Sequence, residues 1–140
     1  MIAMGAPGAL QERQDDAMAL HWEHVTVDAG DAAALAAFWA EALGWAVGPG
    51  ASAEMAMIGG PARPSDTPGW LFLRVPEPRT AKNRVHVDLE ADDLEAETGR
   101  LVGLGATVLH EKREWGAHWR TLADPEGNEF CVVQRPAGRD

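Results

Sequence analysis

With 140 residues, 46% of them apolar, the chain has the size and apolar content of one domain with a real core. Its net charge of −10 excludes nucleic acid and anionic membrane surfaces as natural partners, and no apolar run is long enough to span a bilayer. One Cys excludes an intrachain disulfide and fits a cytoplasmic protein, while six Trp against no Tyr point to a large apolar cavity or interface, or to a Trp-rich core.

Residues 1–18 hold Gly, Pro, Gln and three acids without the charged-then-apolar order of a signal peptide, and are expected to form a loose tail. Residues 21–28 alternate as a strand does. Asp31 is placed to cap a helix over 32–43 that Gly44 terminates, and Leu35, Phe38, Trp39 and Leu43 fall at helical spacing on the face toward a sheet. Short strands are expected at 45–47, 54–58 and 70–75, with 61–69 a Pro-rich surface loop and 76–82 a linker. A strand over 84–90 follows. Asp93 then caps a helix running to about Leu104, stopped by Gly105, and three further strands cover 107–111, 118–122 and 129–134. Between the last two, Asp124-Pro125-Glu126-Gly127 reads as a turn, Pro presetting φ and Gly supplying the permissive position.

The chain repeats itself once. His24-Val-Thr-Val-Asp-Ala-Gly-Asp31, a helical run and Leu43-Gly44 are echoed by His86-Val-Asp-Leu-Glu-Ala-Asp-Asp93, a helical run and Leu104-Gly105, at spacings of 62 and 61 residues. A match of that length nearly without gaps means two copies of one supersecondary unit. Each copy reads strand-helix-strand-strand-strand, so the expected fold is α+β: two βαβββ modules, 19–76 and 83–136, in one domain spanning 19–136 with a short tail at 137–140. Together the modules would make a curved eight-stranded mixed sheet with helices outside and a hollow inside, and the doubled His would meet there.

Several segments carry a resemblance: His24-Val-Thr-Val-Asp with Phe38-Trp39 and Leu43-Gly44-Trp45, Val75-Pro76-Glu77, Lys82-Asn83-Arg84-Val85-His86-Val87-Asp88, and Asp124-Pro125-Glu126-Gly127-Asn128-Glu129-Phe130. In these the chain resembles the vicinal oxygen chelate superfamily, which includes glyoxalase I, bleomycin-resistance proteins and extradiol dioxygenases. Within it, the chain is most similar to small glyoxalase-like proteins of actinobacteria. The motifs span roughly residues 20 to 135 and are specific for fold rather than reaction, because this fold hosts isomerases, dioxygenases, thiol transferases and drug binders.

The resemblance implies four inward metal ligands, one from each of four strands. Two fall on His24 and His86. The third falls on Leu73 or its neighbour Leu71, neither of which coordinates, and the fourth on Cys131, with Glu129 two residues earlier on the same strand face. Two His and a Cys are ligand types of some catalytic zinc sites, and Glu129 could serve as oxygen ligand or general base. The alternative makes His24 and His86 cavity-wall residues and Cys131 a small buried hydrophobe. The expected cofactor is therefore none, or a weakly bound divalent metal (zinc, nickel or iron).

Asp88 shares a strand face with His86 and could orient that imidazole, or could pair with Arg84 or Arg120. Along the penultimate strand, His118 and Arg120 alternate with Trp119. If Trp119 faces inward with Trp115, the site has a stacking wall; if His118 and Arg120 do, it has an anion clamp. Met55 and Met57 share a face that suits a pocket or plain core packing. The expected function is a glyoxalase-like protein binding a small aromatic or oxygenated molecule, with lyase or isomerase activity through His24, His86 and Glu129. The alternative is a non-catalytic drug- or metabolite-sequestering protein of the bleomycin-resistance type. Relatives implied by the resemblance are often homodimers, and a homodimer is expected here.

Overall fold

The computed structural model describes residues 19–137. The expected tail at 1–18, and residues 138–140 of the expected C-terminal tail, lie outside them.

The first module runs β1 (Val25–Ala29), α1 (Ala32–Leu43), β2 (Ala46–Val47), β3 (Met55–Gly59) and β4 (Trp70–Arg74). The second runs β5 (Asp88–Ala91), α2 (Leu94–Leu104), β6 (Thr107–Glu114), β7 (Ala117–Ala123) and β8 (Glu129–Gln134). The duplication is physical down to its caps. Asp31 Oδ1 accepts from the Ala34 amide at 3.1 Å, and Asp93 Oδ1 from the Ala96 amide at 3.0 Å. Gly44 and Gly105 close the helices at φ of 71° and 123°, where a Cβ would be strained.

Each module forms a mixed four-stranded sheet, ordered β1-β4-β3-β2 and β5-β8-β7-β6, in which β1 runs parallel to β4 and β5 parallel to β8. The eight strands thus hydrogen-bond as two sheets, and among the described residues no ladder joins β1 to β5. Three strand bounds move by three residues or more from their expected places. The ladder of β1 starts at Val25, whose amide reaches the Gly69 carbonyl, because its partner strand begins only after Pro68-Gly69. β5 starts at Asp88 because the preceding residues border a cavity instead of a strand, Val85 being 83% exposed. β6 runs three residues further, to Glu114, because it pairs with β7 through a tight Trp115-Gly116 turn.

One face of each sheet is covered by its helix. Leu35, Phe38 and Trp39 of α1 are buried with Ala56, Ile58, Trp70 and Phe72, while Leu43 is half-buried against that cluster. Leu94 and Leu101 of α2 are buried with Leu122, Phe130 and Val132. The modules are tied together through α1. Trp39 packs edge-on against Phe130 with ring centroids 4.7 Å apart, an aromatic contact worth about 0.5–1.5 kcal/mol beyond its buried area. Its indole N–H donates to Asp124 Oδ2 at 3.0 Å, both residues being buried. Glu126 accepts from the Gly30 and Asp31 amides, and Arg100 donates to the Glu41 and Ala42 carbonyls at the end of α1.

Candidate functional site

Between the two modules lies a cavity of about 690 Å³. Consecutive residues of β1, Val25 to Ala29, line one side, so it is the unpaired edge of that strand that borders the space. Val85, His86 and Val87, leading into β5, line another, and the linker at Val75–Arg79 and the Asp124–Phe130 segment complete the wall. Val25, Val27, Val75, Val85 and Val87 supply the accessible apolar surface, backed by the buried rings of Trp39, Trp70 and Phe130.

The polar groups are held in place from several elements. Asp124 Oδ1 accepts from the amides of Glu126 and Asn128, which fixes the Asp-Pro-Glu-Gly turn. That turn aims Glu126 at the start of α1, where its carboxylate takes the Gly30 and Asp31 amides at 2.7 and 3.2 Å. Glu129, at the first position of β8, accepts from the Asn83 amide at 3.1 Å and lies 3.7 Å from the Arg79 guanidinium. The Asn83 side chain donates to Asn128 Oδ1.

His86 lines this cavity, with Nε2 3.4 Å from Asp88 Oδ1. Asp88 is opposite Cys131 in the β5–β8 register, and the ligand atoms of His86, Asp88 and Cys131 all lie within 4.8 Å of one another. His24 is not in that group; it sits half-buried just before β1. Leu73 has no donor and lies in register with Asp28 and Met55. The four-ligand arrangement that the sequence resemblance implies therefore does not fit here: one position is aliphatic and one imidazole stands apart. What remains is a partial potential metal site of one imidazole, one carboxylate and one thiol. Burial pushes the Cys131 thiol above its ordinary pKa of 9.0, partly offset by its contact with the Thr121 hydroxyl at 3.3 Å, so without a metal the sulfur is a neutral thiol at pH 7.

The pairing register separates the two faces of the penultimate strand. Trp119 and Thr121 alternate with Arg120, and Thr121 is opposite Cys131, so Trp119 shares the face of Asp88 and Cys131. Trp115 stacks on it, centroids 5.8 Å apart and planes 14° from parallel, at a hairpin tip where Trp115 is 88% exposed. Arg120 points the other way and pairs with Glu95 of α2 at 2.7 Å. His118, on Arg120's face, bonds to Glu111. An Arg120–His118 clamp on the Cys131 face is thereby excluded. Helix α2 supplies Glu95 on one side only, and the alternation carries the guanidinium to that side.

Met55 and Met57, about half exposed, form the open face of the first sheet with Leu71 and Leu73. None of these four borders the cavity between the modules. Residues not named as site residues from the sequence do border it: Arg79, Glu77, Asp28 and Glu126. The turn motif around Glu126 was legible, but the amides it reaches lie about ninety residues earlier in the chain.

Solved structures of similar architecture share this fold. A glyoxalase/bleomycin resistance protein/dioxygenase family enzyme from Burkholderia phytofirmans superposes with a TM-score of 0.64 at 16% identity, over 80% of this chain and 96% of that one. Lactoylglutathione lyase from Agrobacterium tumefaciens gives 0.56 at 19% identity, over 81% and 92%. A bleomycin-binding protein complexed with bleomycin gives 0.56 at 19%, over 84% and 100%. At these identities the likeness establishes the fold alone. No curated protein matches the chain in sequence. The model of the glyoxalase-like domain family matches residues 24–133, and the chain belongs to that family, within the vicinal oxygen chelate superfamily.

Proposed function

We propose that this protein binds a small organic molecule, aromatic or oxygenated, in the cavity between its modules. The observation that carries this is the cavity itself. Its volume of about 690 Å³ falls in the range of small-molecule sites, and its apolar wall is punctuated by a few fixed polar groups, His86, Asn83 and Glu129. The bleomycin-binding neighbour shows that the fold can hold such a ligand. The reading has the protein act in the cytoplasm, as a homodimer, without a required metal.

The test is to fill the space. Thr26 is exposed on β1 and lines the cavity, so Thr26→Trp should leave folding intact and weaken any ligand found by thermal-shift screening by tenfold or more, on the order of 1.4 kcal/mol. Unchanged affinity in that variant would place binding elsewhere.

A lyase or isomerase activity is the second reading, favoured by one contact. The His86 imidazole has a carboxylate neighbour, Asp88, at 3.4 Å, the arrangement that orients a general base, and Glu129 sits in the same cavity wall. Here His86 moves the proton and Glu129 holds the substrate's hydroxyl. Lactoylglutathione lyase activity, named for the Agrobacterium neighbour, is the direct assay, with His86→Gln and Glu129→Gln as controls.

A further inference from the structure

Charge at the cavity wall defines which molecules can enter. Resting on the reading that this cavity is the binding site, we infer that its ligand is an organic cation, a flat or apolar body carrying an ammonium or amidinium group. The wall presents five carboxylates, Asp28, Glu77, Asp124, Glu126 and Glu129, against one guanidinium, Arg79.

The balance within the wall sharpens the point. Arg79 is already engaged, by Glu129 at 3.7 Å and by the Ala81 carbonyl, so its charge is not free for an incoming anion. His86 has Asp88 beside it. Asp124 and Glu126 are engaged by backbone amides and by Trp39, and neither has a cationic partner among the described residues. Asp28 and Glu77 have no hydrogen-bond or ion-pair partner among the described residues, and both are exposed at the cavity wall. Those two carboxylates are the open acceptors for a ligand ammonium. The apolar side chains of Val25, Val27, Val75, Val85 and Val87, which line the cavity and keep accessible surface, are the complementary site for its apolar body. An anionic ligand meets an uncompensated negative field on the same path, added to the chain's overall charge of −10.

The experiment is calorimetric titration of the full chain at pH 7 with three probes of one shape. These are 2-(2-naphthyl)ethylamine as cation, 2-(2-naphthyl)ethanol as neutral analogue and 2-naphthylacetate as anion, each at low and high salt. The expected order is amine, alcohol, acetate, with the amine binding about tenfold or more tighter than the acetate and the gap narrowing as salt screens it. In the Asp28→Asn/Glu77→Gln variant, both changes being at exposed positions, the amine should lose most of that advantage while the alcohol is unchanged. Equal binding of the three probes, or tighter binding of the acetate, would overturn the charge assignment and leave the cavity reading standing. Failure of all three to bind would overturn the cavity reading and this inference with it.

Discussion

Asp124 is the side chain through which the second module grips the first, and removing it should be expensive. Its two oxygens accept from Trp39 Nε1, from the Glu126 and Asn128 amides and from Asn128 Nδ2, at distances from 2.9 to 3.2 Å. In Asp124→Ala the Trp39 N–H is stranded in a buried place, at a cost of about 1–3 kcal/mol. The turn amides are only part-buried and recover water, adding roughly 0.5–1 kcal/mol each. The total, about 2–5 kcal/mol, is a large share of the roughly 5–15 kcal/mol by which a domain of this kind is stable. It should lower Tm by about 6–15 °C at roughly 3 °C per kcal/mol. Urea unfolding of wild type, Asp124→Ala, Trp39→Phe and the double variant measures it. Trp39→Phe removes the stranded donor, so the cycle should show coupling of about 1–3 kcal/mol. Asp124→Asn, which keeps the shape but loses the charge and one acceptor, should fall between wild type and Asp124→Ala. A cost below about 1 kcal/mol for Asp124→Ala, or a cycle with no coupling, would mean that the Trp39–Asp124 hydrogen bond does not help to hold the modules together.

Gly60→Ala should destabilise by about 2–3 kcal/mol, because Gly60 sits at φ +80° and a Cβ there would lie 2.9 Å from the Ala46 Cβ; Gly44→Ala, at φ +71° with open space around it, should cost only the backbone strain of about 1 kcal/mol. Arg100→Met removes the bonds to the Glu41 and Ala42 carbonyls and should cost about 1 kcal/mol by urea unfolding. Hydrogen bonding from Arg100 holds Glu97 below its ordinary pKa of 4.5, so that pair's contribution is present above pH 4.5 and is lost as pH falls through the lowered value. The pH-dependence of stability on the acid side should therefore be shallower in Arg100→Met than in wild type; identical slopes would count against the linkage. Elemental analysis of protein purified without chelator should give well under one metal per chain, and stoichiometric zinc lost in both His86→Ala and Cys131→Ser would instead make the partial site a real one. Light scattering at micromolar concentration should report a dimer, and a monomer would oppose the assembly inferred from the resemblance.

Much of the architecture was written locally. The two Asp caps, the two terminating glycines and the apolar spacing of Leu35, Phe38 and Trp39 act over a few residues, so their periodicity is visible without a fold. The duplication then determined which elements correspond between the modules. Tertiary structure decided what local pattern cannot encode. The eight strands expected around a hollow pair as two four-stranded sheets, and the cavity lies between the modules, beside the unpaired edge of β1. Which side of β7 meets Cys131 depends on which side α2 covers, because alternation fixes only that Trp119 and Arg120 are opposed, not which of them faces the site. For the same reason nothing in the local sequence pattern brings Asp28, Glu77 and Arg79 together. Only the folding of the linker beside the edge of β1 gathers them, with Glu126 and Glu129, around one space.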